Sequence, residues 1–186
     1  MILARGEKKR KYFEKQVLSQ LNFLYFFALK LTGHRENAED LIQETYHKAY
    51  SHLDQLRDIE KWKPWLYSIL VNTWKNWRAK RGREFVPDTL EEWEGSLDQS
   101  AYGNPQWKQT DPETDLLGKE VWVIVESALA HLHPDYRMAI ILSDIEGFSY
   151  KEISEMVEWP IGTVMSRLSR ARALLRKFLI QYKEER

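Results

Sequence analysis

Cysteine is absent from the 186 residues. That excludes disulfides, thiolate metal sites and a cysteine nucleophile, and it fits a reducing cytoplasm. Glycine (8) and proline (6) are scarce, so a sandwich or barrel would have few residues for its many turns. Leu, Lys, Glu, Arg and Ala are plentiful instead, and these favour helices, so an all-α chain is expected. No run approaches the roughly 20 apolar residues needed to span a bilayer. The opening MILARGEKKRKYFEK has no apolar core of signal-peptide length, and a soluble protein of the cytoplasm is the expectation. With 43% hydrophobic residues, one ordinary domain or two small ones can each bury a core.

Net charge is also absent: 28 Lys and Arg balance 28 Asp and Glu. The balance is not local. Residues 1–83 hold 17 basic and 9 acidic side chains, residues 84–120 hold 2 and 10, and residues 121–186 hold 9 and 9. Within the last part, Asp144 to Glu158 carries five acids and one Lys, whereas Ile161 to Lys183 carries six bases and no acid. Such segregation suggests a face that meets a polyanion, with a solvated basic surface as the alternative.

Helical spacing runs from Tyr12 to Arg83. Phe13, Val17, Leu21 and Leu24 form one stripe, Leu41, Ile42, Thr45 and Ala49 a second, and Trp65, Leu66, Ile69 and Thr73 a third. Breaks fall near residues 32–36 and 56–61, and Pro64 suits the first turn of the last of these helices. Residues 84–113 lose the pattern and gather Pro87, Gly95, Gly103, Pro105 and Pro112 among acids, so they read as a flexible acidic linker with a short helix around Leu90 to Leu97. Helical order resumes near Thr114. Two small helical domains, 1–83 and 114–186, are therefore expected around that linker.

The strongest local signal lies at Ser149-Tyr150-Lys151-Glu152, a capping box with Phe148 and Ile153 placed as its hydrophobic staple. The helix it starts would bury Ile153, Met156 and Val157. Pro160 and Gly162 then predict a turn, with Thr163 capping a second helix. That arrangement is a helix-turn-helix, whose second helix enters the DNA major groove. On that helix Val164, Leu168, Ala171, Leu175 and Phe178 share one face, and Thr163, Ser166, Arg167 and Arg170 share the other. Arg can present a fork to guanine, while Ser and Thr can bond phosphate or base edges. Arg172, Arg176 and Lys177 lie further along, where phosphate contact or solvation is expected.

Two further segments define the role. The run AEDLIQETYHKAY (38–50) followed by LDQLRDIEKWKPWLYSILVNTWKNWRAKR (53–81) closely resembles region 2 of the sigma-70 family, in its small extracytoplasmic-function branch. The helix-turn-helix, including GTVMSRL, is similar to that branch's region 4. On the first run Leu41, Ile42 and Thr45 are expected to point inward and Asp40, Gln43, Glu44 and His47 outward. The resemblance implies that Asp40, Gln43 and Glu44 dock on the clamp helices of the largest catalytic subunit of core RNA polymerase. Glu44 and His47 also have the Glu-x-x-His spacing of di-iron bundles; there is no second copy, and no cofactor is expected.

Lys63 to Arg83 holds six bases and no acid, interleaved with Trp65, Tyr67, Trp74 and Trp77. Cations for the backbone and π faces for unstacked bases suit single-stranded DNA, although Trp65 is expected in the core. The resemblance places Trp62 in a loop that approaches a base extruded from the −10 element, with Asn72 near the same pocket; capturing a flipped base offsets the cost of unstacking it. Arg57, Trp62, Asn72, Lys75 and Arg78 are thus the −10 candidates, and Thr163, Ser166, Arg167, Arg170 and Arg172 the −35 candidates. In the family the inter-region segment threads into positively charged polymerase channels, a use that suits the acidic linker as well as plain solvation does.

The chain is accordingly expected to be a non-enzymatic initiation factor. Its partners would be core RNA polymerase, promoter DNA and, in a stress response, an anti-sigma protein, with no small-molecule substrate. A stand-alone DNA-binding regulator would leave the acidic ridge without purpose. A helical metalloenzyme is disfavoured by five scattered His.

Overall fold

The computed structural model describes residues 2–81 and 124–184, with side chains described over 7–80 and 124–182. The linker, its short helix at Leu90 to Leu97 and the resumption of helix near Thr114 lie outside the described residues.

Helix α1 (Ile2–Thr32) buries Phe13, Val17, Leu24, Phe27, Ala28 and Leu31 along one stripe. It ends where Gly33 takes a left-handed φ of 73° and its N–H donates to Leu29 O at 2.8 Å, a closure that glycine makes without a Cβ penalty. Helix α2 (Arg35–Ser51) packs Ala38, Leu41, Thr45 and Ala49 against α1; spacing predicted Leu41, Thr45 and Ala49 but put Ile42, which is half-buried, in the stripe and omitted Ala38. Two short 3₁₀ turns, Leu53–Gln55 and Ile59–Lys61, follow; Asp58 starts the second by accepting from Glu60 N at 3.1 Å.

Helix α3 is Trp62–Arg81. Trp62 is its first residue and only 8% exposed, not a member of the preceding loop as expected. The 3₁₀ turn leads straight into the helix, and the indole closes over the core. Trp65 meets Phe13 edge-on at 5.9 Å, Tyr67 stacks on Phe27 at 5.6 Å, and Trp74 Nε1 donates to Leu31 O at 3.2 Å.

In the second half, a helical segment over 124–130 (α4) precedes α5 (Pro134–Ile140). Pro134 sits in the first turn of α5 and His133 caps it, accepting from Asp135 N at 3.1 Å. A π-helical turn, Ile141–Ile145, prolongs α5. Gly147, at φ 76°, leads into α6 (Tyr150–Val157), where the predicted capping box is present: Ser149 Oγ accepts from Glu152 N, and Glu152 Oε2 accepts from Ser149 N at 2.8 Å. Ile153, Met156 and Val157 are buried as expected.

The following turn differs in its means. Glu158 holds the left-handed conformation, φ 55°, and α7 (Ile161–Glu184) begins early enough to include both Gly162 and Thr163. Pro160 O accepts from Thr163 N at 2.8 Å and from Val164 N at 3.1 Å. A backbone carbonyl thus serves the first turn, and Thr163 is a helical residue, not a cap. Val164, Leu168 and Ala171 are fully buried, while Leu175 and Phe178 are half-buried.

The two halves share one apolar core. Helix α3 lies against α6, and α1 against α5. Phe148 meets Tyr67 edge-on at 5.2 Å, and burial, then the Glu146 carboxylate, pushes the Tyr67 hydroxyl far above its usual value. Arg137, 3% exposed, donates to the carbonyls of Leu129 (2.8 Å), Ala130 (3.0 Å) and Leu132 (2.8 Å), and to Lys30 O of α1. It serves carbonyls at and just past the end of α4, of which Leu129 O also accepts from Leu132 N at 3.1 Å. Beside it Lys30 pairs with Glu126 at 3.1 Å, both 6% exposed. Burial lowers the Lys30 pKa despite that partner.

Candidate nucleic-acid interface

The first turns of α7 follow the tight Glu158 turn, as a recognition helix requires. Ser166 and Arg170 are exposed, as is Met165, and Thr163 is half-buried. Ser166 Oγ donates to Thr163 O at 3.1 Å. Arg167 is the exception on this face. Its guanidinium lies 3.8 Å from the Trp159 ring centroid, within cation–π range, and Nη2 is 3.1 Å from Asp135 Oδ2. Helical spacing placed Arg167 outward, but α5 and the turn cover it, leaving its side chain 20% exposed.

Arg172 is likewise engaged. Nε and Nη2 grip the two carboxylate oxygens of Asp144 at 3.1 and 2.7 Å, and Nη1 is 3.2 Å from Tyr150 Oη. This fork ties α7 to the end of the π-helical turn and the start of α6. It holds the Asp144 carboxyl below the ordinary carboxylate range and raises the Arg172 pKa. Arg172 therefore has a bracing role that its position as a simple outward cation did not anticipate.

On α3 the basic residues divide. Arg57, ahead of the helix, is exposed and Asn72 is half-buried. Lys75 Nζ donates to Val157 O at 2.7 Å and lies 3.5 Å from Glu158 Oε2, a cation at the carbonyl end of α6 where the helix dipole favours it. Arg78 Nη1 is 3.3 Å from Asp135 Oδ1, and its guanidinium lies 5.6 Å from the Trp74 ring centroid. Lys63 pairs with Glu146 Oε2 at 3.1 Å and stands 5.2 Å from the Phe148 centroid. Lys63, Lys75 and Arg78 face the second half, not open solvent. The acidic members, Asp135, Glu146 and Glu158, escaped sequence reasoning because nothing local distinguishes them; they lie 57 to 83 residues from their partners.

On α2, Asp40, Gln43 and His47 are exposed, as predicted. Glu44 is not a bare ridge residue: it accepts from Trp77 Nε1 at 2.6 Å and pairs with Lys48 at 2.6 Å. The Lys48 contact is the largest cause of its lowered pKa. Beside Gln43 and Glu39, an apolar groove of about 730 Å³ opens between α1 and α2, lined by Leu18, Leu21, Ile42 and Tyr46 among others. Among the described residues no cluster of His, Asp and Glu has metal-binding geometry.

Two family descriptions match this chain, "Sigma-70 region 2" at residues 17–84 and "Sigma-70, region 4" at residues 122–175. The ECF RNA polymerase sigma-E factor of Escherichia coli K12 is 38% identical over 133 residues, covering 72% of this chain and 69% of the relative. That of Haemophilus influenzae is 35% identical over 142 residues, covering 76% and 74%. The sigma factor RpoE of Bartonella quintana, solved with the anti-sigma factor NepR, aligns at a TM-score of 0.65 with 33% identity, over 91% of this chain and 97% of that one. CnrH, solved with the cytosolic domain of CnrY, shares the fold at a TM-score of 0.58 and 20% identity, over 92% and 90%. With both regions present in order around a helix-turn-helix, and relatives at this identity across most of its length, the chain belongs to the extracytoplasmic-function branch of the sigma-70 family.

Proposed function

We propose that this chain carries core RNA polymerase to particular promoters and starts transcription there as part of a stress response, catalysing no reaction itself. The observation that supports this best is the division of labour among three helices. Cation-bearing α3 and α7 fall in the two family-matched segments, and α2 presents exposed Asp40 and Gln43 beside them.

In this reading Asp40 and Gln43, with Glu44, dock on a basic surface of core polymerase. Thr163, Ser166, Arg167 and Arg170 read the −35 element in the major groove, with Arg172 bracing their helix and reaching phosphate. Arg57, Asn72, Lys75 and Arg78 hold the melted −10 strand, joined by Trp62, whose ring must turn out of its contacts to meet a base. The site of action is the cytoplasm, where the polymerase works. An anti-sigma protein is a fitting further partner, since RpoE of Bartonella quintana was solved with one.

Reconstitution tests this. Core enzyme plus this chain should start transcripts at defined genomic sites. Asp40→Lys should weaken core binding roughly tenfold or more, because a like-charge contact across an interface costs several kcal/mol and tenfold needs only about 1.4 kcal/mol. Transcripts without defined starts, or equal core retention by variant and parent, would reject the assignment.

A further inference from the structure

The first turns of α7 expose a long apolar side chain among polar ones. Met165 is 54% exposed, whereas its neighbours on the packed face, Val164, Leu168 and Ala171, are fully buried. Ser166, Ser169 and Arg170 are exposed beside it. Thr163 is half-buried, and Arg167 lies against Trp159 and Asp135 of its own half. The surface that the start of this helix offers to a neighbour is therefore Met165 with two serines and one arginine, not a row of cations.

Gly162, one turn before Met165 and Ser166, is exposed as well. It is helical, and it is not among the glycines with positive φ. A Cβ at this position would meet nothing within 4 Å. Glycine weakens a helix relative to alanine, so nothing among the described residues calls for it here. What a missing side chain offers at an exposed site is close approach by another molecule. A recognition helix seated closely in the major groove sets its N-terminal residues against base edges, and the unbranched, polarizable Met165 side chain then reaches those edges with nothing to donate.

Base chemistry selects its counterpart. In the major groove thymine presents a C5-methyl group, while guanine presents two acceptors, and adenine and cytosine present amino groups. Covering those polar groups with a thioether would strip them of water without replacing the bond. Covering the methyl group removes apolar surface from water on both sides. We propose that Met165 is a specificity-determining residue that reads a thymine methyl group in the −35 element, adding an apolar contact to the hydrogen bonds of Ser166 and Arg170. This rests on the promoter reading of α7.

The test uses core polymerase loaded with the full chain and a library of promoter duplexes randomised across the upstream element. Holoenzyme with the parent chain should enrich thymine at one position where Met165→Ala enriches no base, with the other preferences kept. Replacing that thymine by deoxyuridine deletes only the methyl group. It should weaken binding by the parent holoenzyme roughly fourfold, the effect of one buried methyl group, and Met165→Ala should bind both duplexes equally. Met165→Gln keeps the length of the side chain but not its apolar tip, and it should be as indifferent to the methyl group as the alanine variant. A parent that binds the thymine and deoxyuridine duplexes equally overturns the proposal, as does an equal loss in parent and variants, or a thymine preference that survives Met165→Ala. The promoter reading of α7 fails differently, when the parent holoenzyme selects no upstream sequence at all, and then both fall.

Discussion

Arg137→Ala should be the most damaging single change in the second half. The side chain is 3% exposed and donates to the carbonyls of Leu129, Ala130, Leu132 and Lys30. A hydrogen bond from a charged donor contributes about 1.5–3 kcal/mol, and a buried acceptor left bare costs about 1–3 kcal/mol. The bonds share one guanidinium, so they do not add in full. Water entering the vacated space would recover some of the loss. The expected destabilisation is therefore about 3–5 kcal/mol, roughly the net of two charged-donor bonds lost. For a chain of this length that corresponds to a fall in Tm of roughly 10 °C. Arg137→Met separates polar from packing effects, because methionine fills most of the stem volume without donors and should still lose most of that stability. Arg137→Lys keeps the charge but not the fork and should recover part. Urea unfolding followed by far-ultraviolet circular dichroism measures all three. A loss under about 1 kcal/mol for Arg137→Ala would refute the claim that these carbonyls depend on Arg137.

Ser149→Ala removes the acceptor that serves Glu152 N and breaks the reciprocal box; it should cost about 1 kcal/mol, seen as a lower urea midpoint and faster amide exchange in the first turn of α6, and unchanged exchange there would count against the cap. Stability should also fall in acid. Asp144, Glu44 and Glu152 have pKa values lowered chiefly by hydrogen bonds from Arg172, Lys48 and Ser149 respectively. Because the folded values are depressed, their contribution is complete above the ordinary carboxylate value of about 4 and is lost as pH falls through the lower folded values. Asp144→Asn should flatten that acid limb, and a urea midpoint indifferent to pH below about 4 would contradict the assignment.

What could be read from sequence was what is local. The capping box at Ser149, the buried positions Leu41, Thr45 and Ala49, and the break near Gly33 each depend on residues within a turn or two. Boundaries slipped where the backbone did unadvertised work. Glu158, neither Gly nor Asn, takes the left-handed turn, and Pro160 O caps α7, so Thr163 fell inside the helix. The basic side chains were found, but their surroundings were not. Periodicity sorts a helix into a face that packs within its own half and a face that does not; Lys63, Lys75 and Arg78 lie on the second, which here is covered by the other half, while Arg167 is covered by Asp135 and Trp159 of its own half. Only long-range pairing distinguishes that from solvent.

The bond between the Trp77 indole and Glu44 gives α2 and α3 a common stake in one carboxylate. A polymerase surface that recruits Glu44 must outcompete an indole donor next to Arg78 in sequence and a lysine one turn away on α2. Under the proposed docking of Glu44, seating the chain on the enzyme and loosening α3 would be parts of the same exchange, not successive errands.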